Sequence, residues 1–442
     1  MNYARAVSNS PIRNAAVVGL LLLSLDVHAQ KSGSSMESMP ANHQMPTSEM
    51  GSMDHSEMAM LGSYAMSREA SGTSWQPEAT PMGGMSYTAG SWNLMTHGSV
   101  NAVYSDADGP RGDDDFFGET MFMVMGHRPA GSGMLGFRTM LSLEPWTAGD
   151  TGYPLLFQTG ETADGQTPLI DRQHPHDLLM EMAATYSQPV GKDQSIFIYG
   201  GLPGEPALGP AAYMHRFSGM DNPEAPLGHH WLDATHITFG VVTLGYIWDR
   251  LKIEGSAFNG REPDQIRTNI DTGPLKSWST RVTFNPDKNW TMQVSYGDLH
   301  SPEQLEPDMD MQRTTASVSY QAPLVSGQWQ TTAAFGRNQM SDGPTTDAYL
   351  LESAWIFMQM NTIYGRLERV EKDELFEAPS PLAGQVFTVN KATIGMIRDL
   401  VHSDAGKFGI GAQYSIHTIP DAIEPAYGDN PDSWLVFARW RM

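Results

Sequence analysis

Alternation of apolar and polar residues with a period of two, kept up in short runs from residue 90 to residue 442, most narrows what this chain can become. About sixteen such runs can be read, with roughly 14 to 18 strands compatible with the pattern. They lie at 92–104, 120–127, 133–144, 178–187, 195–201, 236–246, 251–259, 277–284, 290–298, 312–320, 328–337, 346–357, 362–370, 386–398, 408–417 and 434–442. Gaps after the odd-numbered runs are long and rich in Gly, Pro and Asp; those after the even-numbered runs are tight, as at 129–132, 248–250, 286–289 and 358–361. Successive side chains of a strand point to opposite faces, so these runs suit a wall with lipid on one side and an aqueous lumen on the other. Long loops at one rim and short turns at the other complete the expectation of an all-β fold, a transmembrane antiparallel β-barrel.

Individual runs carry the parity that such a wall needs. Phe408, Ile410, Ala412, Tyr414 and Ile416 share one face, with Gly409, Gly411, Gln413, Ser415 and His417 on the other. In the final run Trp434, Val436, Ala438, Trp440 and Met442 would meet lipid while Arg439 and Arg441 turn inward. This ending resembles the C-terminal recognition strand of outer-membrane proteins, with Met442 standing where Phe is usual. The resemblance implies the barrel-assembly machinery as a partner, and outer-membrane lipid and lipopolysaccharide as the surroundings. A large soluble β-sandwich or β-helix is the competing all-β reading.

The compartment follows from the first residues. Arg5 and Arg13 precede an apolar run at 17–25, and Val27, His28 and Ala29 supply a cleavage site, so a signal peptide over 1–29 is expected, with the mature chain starting at Gln30. That run is too short to cross a bilayer, and no other stretch approaches the roughly 18 uninterrupted apolar residues a helix needs. An exported chain of this kind crosses, if at all, as a barrel in the outer membrane of a Gram-negative bacterium. There is no cysteine, which excludes a lipoprotein anchor, disulfides and thiolate metal sites. Removing Arg5, Arg13 and Asp26 from 27 basic and 50 acidic side chains leaves 25 against 49, a formal charge of −24. Such a surface repels nucleic acid and draws cations. The expected organisation is a signal peptide at 1–29, a disordered Met/His-rich periplasmic tail at 30–88 and one barrel at 89–442.

The tail carries the sharpest chemical signal. Met36, Met39, Met45, Met50, Met53, Met58, Met60 and Met66 are interleaved there with His43 and His55 among small polar and acidic residues. Such a composition does not bury a core. Thioether sulfur is a soft, neutral ligand suited to Cu(I) or Ag(I), and imidazole extends the set to Cu(II). No cofactor is required by this reading; Cu(I), Cu(II) or Ag(I) would be bound ions. Residues 50–60, with Met53, Asp54, His55, Ser56 and Met58, resemble the Met-Asp-His-Ser-x-Met tracts of copper-resistance proteins, notably the copper resistance B barrel family. The resemblance spans about thirty residues and implies copper tolerance as the activity, with periplasmic copper proteins as further partners. Within the barrel, 171–177 and 259–265 look instead like phrases of a family of proteobacterial outer-membrane proteins.

Two further constellations lie in the barrel region. Met121, Met123, Met125 and His127 share one face of a run, with Phe122 and Val124 on the other, and Met95 and His97 flank them on the preceding run. Arg138 and Glu144, in register with Met134 and Met140, mark that face as lumenal, because charge on the lipid face is costly. A plainer reading is that Met fills space. Histidine also clusters in two long loops: His174 and His176 flank Pro175, His229 and His230 are adjacent, and His215 and His236 lie nearby. Imidazoles with a carboxylate can hold Cu(II), Ni(II) or Zn(II); a hydrogen-bonded plug built on Arg172, Arg216, Glu205 and Glu224 is the alternative.

Three functions therefore compete. A metal-handling barrel of copper or silver tolerance is supported by the tail and the Met ladder. A general porin or solute channel is supported by size, since a barrel of about sixteen strands leaves an aqueous lumen. A barrel enzyme acting on lipid would need a His and Ser pair at the rim, and no serine motif stands out.

Overall fold

In the computed structural model, which describes residues 59 to 442 except Asp404, the alternating runs become sixteen strands of one closed antiparallel barrel. In chain order the strands are β1 Met85–Ala89, β2 Trp92–Ala107, β3 Asp114–Ala130, β4 Gly133–Leu141, β5 Tyr153–Thr162, β6 Pro168–Gln173, β7 Leu179–Gly191, β8 Gln194–Gly201, β9 Val241–Trp248 and β10 Leu251–Phe258. There follow β11 Ser277–Phe284, β12 Trp290–Leu299, β13 Met311–Leu324, β14 Gly327–Met340, β15 Thr345–Phe357, β16 Asn361–Lys372, β17 Phe387–Ser403, β18 Gly406–Thr418 and β19 Asp432–Arg441. Each barrel strand pairs with its neighbour, and the ring closes where β19 meets β2, with Arg441 opposite Ser99 and Ser433 opposite Ala107. β1 doubles back on β2 as a short hairpin. β5 and β6 form a separate hairpin within the connection from β4 to β7.

The two rims differ as the run spacing requires. Turns such as 131–132, 192–193, 249–250 and 325–326 mark the periplasmic rim, and 142–178 and 202–240 are the longest connections at the other. Outward side chains form an apolar band: Leu244, Val294 and Ile394 are 63, 59 and 63 % exposed on the isolated chain. Near the short turns, Trp248, Phe284, Trp290, Trp329 and Trp355 all face outward, the aromatic girdle expected at a membrane interface.

Several boundaries depart from the sequence pattern, and three of them have a local cause. The run read from His236 begins as a strand only at Val241, because His236 closes a 3-10 turn and Gly240 takes a φ of 121° that breaks the extension. The run read to Glu144 stops at Leu141; Glu144 opens a four-residue helix, α1 Glu144–Thr147, whose Pro145 suits a first-turn position. The gap after the first run shrinks to 108–113, since both flanking strands continue beyond their apolar core into Asp-rich ends.

Larger differences concern the lumen, which is filled by the chain's own segments. Residues 59–80, expected as tail, lie inside the periplasmic end. Leu61, Tyr64 and Trp75 pack against Phe197 and Ile247 of the inner wall, and Arg138 donates to the Gly72 carbonyl at 2.7 Å. Ser187 and Ser195 donate to the carbonyls of Met60 and Leu61 at 2.8 and 3.1 Å. A segment rich in small polar residues is ordered here because the wall satisfies its backbone. Above it the connection 202–240 crosses the lumen. Gly209 donates to Ser295 of β12, Arg216 pairs with Glu352 of β15, Lys391 of β17 pairs with Glu224, and Arg439 and Arg441 of β19 reach Asp221. These buried charges are paired and hydrogen-bonded, the condition under which a charge can sit away from water.

Candidate functional site

The inward face of β2, β3 and β4 places sulfur and imidazole side by side. Backbone register sets His97 opposite Met123, Met95 opposite Met125 and Asn93 opposite His127, and on the other flank Met123 opposite Met140. Met121, Met123, Met125, His127, Met134 and Met140 are all buried in the lumen, whereas Val124 is exposed on the outer wall, so the parity inferred from Arg138 holds in the structure. The connections complete the cluster. Met60 from the lumenal N-terminal segment, Met180, Ile237 and Phe239 pack into it, with Met95 and Met214 at its margin.

Two contacts give this cluster its chemistry. His97 Nε2 lies 2.8 Å from the sulfur of Met123, and His215 Nε2 lies 3.2 Å from the sulfur of Met140. The two rings are themselves 5.7 Å apart and nearly perpendicular. His215 is held well below the usual imidazole range, first by burial and then by the neighbouring His97, so its ring is neutral at neutral pH, and because a thioether only accepts, its Nε2–H donates to Met140. Thioethers and imidazoles meet here in a buried row, side chains of the type that would suit Cu(I) or Ag(I). Below this row a cavity of about 130 Å³, lined by Met66, Met95, Met125 and His127 among others, opens toward the periplasmic rim.

The loop histidines divide into two groups. His174 and His230 stand 5.9 Å apart at the outer end, each against a carboxylate: His174 Nε2 is 3.2 Å from Glu161 and His230 Nδ1 is 3.5 Å from Glu262. Glu161 and Asp177 are tied in turn to Arg267, a polar network of the plug kind. Deeper in, His176, His229 and His236 surround Tyr213. Burial and then the charges of His229 and His176 push His236 down to about 3. Burial also works against a proton on His176, but the adjoining Glu144 outweighs it and holds this ring above its ordinary value. Of the expected plug residues, Arg216, Glu205 and Glu224 are buried in the lumen, while Arg172 lies near the surface against Asp113 and Asp115.

Met36, Met39, His43, Met45, Met50, Met53, His55 and Met58 lie outside the described residues, so the tail tract remains a reading of sequence. Met180 and Met214 join the cluster without having been singled out as ligands, and His215, read with the loop histidines, meets the sulfur side chains instead. The adjacency of Met214 and His215 within a loop was the available signal, and only the inward fold of 202–240 gives it meaning.

No protein-family model and no curated protein matches the chain. Solved structures do. An anion-selective porin from Comamonas acidovorans superposes with a TM-score of 0.50 at 12 % identity, over 79 % of this chain and 100 % of that one. The fold is that of the porins. Salmonella typhi OmpF, solved with daunomycin, gives 0.49 at 9 % identity over 81 % of this chain and 100 % of its own. Pseudomonas putida OprB gives 0.49 at 8 %, over 79 % and 94 %. At these identities the likeness is one of fold alone, a closed antiparallel β-barrel; the copper-resistance resemblance of the tail stays with the sequence.

Proposed function

We propose that this chain is a channel-class barrel of the outer membrane whose lumen passes small cations, and that soft metal ions, Cu(I) or Ag(I), are the cations its chemistry fits. The porin architecture supports the first half. The second half rests on one observation, the row His97, Met123, Met140 and His215 with its two direct nitrogen-to-sulfur contacts. Met60, in the same cluster, belongs to the Met-rich tract itself, so a tail on the periplasmic side would hand ions to the row or take them from it. A general solute porin is the second reading, favoured by the sixteen-strand wall itself. The filled lumen argues for a selective path, since residues 59–80 and the connection 202–240 occupy it and are tied to the wall.

The test is ion entry into proteoliposomes in chloride-free nitrate medium. Ag(I) is expected to enter at least tenfold faster than Na⁺ through the full chain. Replacing Met123 and Met140 together by Leu, which keeps the volume and removes the sulfur, is expected to abolish most of that advantage. Equal entry of the two ions, or an Ag(I) preference indifferent to the double substitution, would overturn the soft-ion reading and leave the general channel.

A further inference from the structure

We infer that His176 and His236 form a second cation site in the loop layer of the lumen, one that takes a borderline divalent ion such as Cu(II) or Zn(II). The two residues reach this place from different connections, 142–178 and 202–240. Their ring centres are 5.4 Å apart with planes at 69°. Two imidazoles bound through Nε2 to one tetrahedral ion at about 2.0–2.1 Å would set their ring centres about 5 Å apart, so the rings already stand at ligand separation.

Among the described residues, hydrogen bonding leaves the same nitrogen unpaired on both rings. His176 Nδ1 is 2.9 Å from a Glu144 carboxylate oxygen that also accepts the His176 backbone N–H, and His236 Nδ1 is 2.9 Å from the Asp233 carbonyl. Both Nε2 atoms are buried and meet no hydrogen-bond partner among the described residues. A buried polar nitrogen left unpaired costs free energy that a native structure rarely accepts without a use for it. An Nδ1 fixed by a carboxylate or carbonyl with the Nε2 presented is the way proteins orient metal-binding histidines. His229 stands by, 5.2 Å from His236, with its Nδ1 2.7 Å from Asp233, which is fixed in turn by Arg216. Among the described residues no three His, Asp or Glu side chains already converge at metal-binding distance; the pair therefore supplies two ligands, and water the remainder. Imidazole without thioether suits Cu(II) and Zn(II), so this site differs from the sulfur row in donors and in ion.

The experiment uses the full chain carrying His43→Gln and His55→Gln, so that tail imidazoles contribute nothing, with Cu(II) followed by electron paramagnetic resonance and Zn(II) by calorimetry. One equivalent of nitrogen-coordinated Cu(II) is expected, and adding His176→Gln with His236→Gln should remove that signal and weaken Zn(II) binding at least tenfold. The exposed His300→Gln should change neither. A nitrogen signal that survives the double substitution overturns the site. Should that variant fail to give a heat-modifiable barrel, Glu144→Gln decides: tenfold weaker Zn(II) binding supports the site, and unchanged binding overturns it. Ag(I) plays no part, so the outcome is independent of the soft-ion reading.

Discussion

His236 shows how much one buried side chain can report about this lumen. Its folded-state value near 3 lies below the ordinary imidazole value of 6.5, so between those limits the unfolded chain binds a proton that the folded chain refuses. Stability from this residue is therefore complete above about pH 6.5 and is lost as pH falls toward 3. Asp177 acts with the opposite sign: burial lifts it to about 7, so the folded form keeps a proton that the unfolded form releases, and that contribution is lost as pH rises from about 4 to 7. A comparison of variants isolates the first effect. On going from pH 6.5 to pH 4, the temperature at which the barrel loses its folded gel mobility should fall less for His236→Gln than for the parent chain, and equal falls would show that His236 is not buried as a neutral ring. Neither shift was legible beforehand, because desolvation arises from partners far along the chain; the inward parity of Met123 was legible, because Arg138 one strand away can only face the lumen.

Two elements fill the lumen in series, the segment 59–80 at the periplasmic end and the connection 202–240 across the middle. They touch, Ala212 donating to Ser71 Oγ at 2.9 Å, but their attachments differ in reach. The segment is held chiefly by β4, β7, β8, β10 and β11, whereas the connection engages walls from β10 round to β19. The connection is thus the larger barrier. Deleting 59–80 should leave planar-bilayer conductance within about twofold of the parent, whereas replacing 205–236 by a short turn should raise it toward the range of an open sixteen-strand pore. A large rise from the first deletion alone would reverse that order. Period-two alternation and turn chemistry are local, which is why all sixteen barrel strands could be read from the sequence to within a few residues. The packing of the two lumenal elements was not local: Trp75 finds Phe197 and Ile247, and Arg216 finds Glu352, across more than a hundred residues of chain. A signal did exist in 59–80, since Tyr64 and Trp75 are out of place in a segment too polar to fold by itself, and aromatic rings with a polar handle usually mark a docking surface.

At the scale of the whole molecule the governing quantity is charge. The chain carries a formal −23, and its acidic side chains gather at the outer rim, where Asp113, Asp114 and Asp115 edge one loop and Glu303, Glu306, Asp373 and Glu374 crowd between two others. Burial first and Glu374 second raise Asp373 to about 6 and Glu306 above its usual value, which marks a field dense enough that adding another negative charge is opposed. Such a rim concentrates cations before they reach the lumen, and a cleft lined by one sign of charge can raise entry rates by about 10- to 1,000-fold at low salt. Screening limits that gain, because the Debye length falls from about 30 Å at 0.01 M to about 10 Å at 0.1 M ionic strength. Ag(I) entry into proteoliposomes should therefore fall severalfold when potassium nitrate is raised across that range, while the binding stoichiometry at the sulfur row, formed by neutral donors, stays constant. Glu306→Gln with Asp373→Asn should lower the low-salt rate and flatten the salt dependence without changing that stoichiometry. An entry rate indifferent to salt would mean that the rim charges only solvate the loops, and that selection begins at the row of His97, Met123, Met140 and His215.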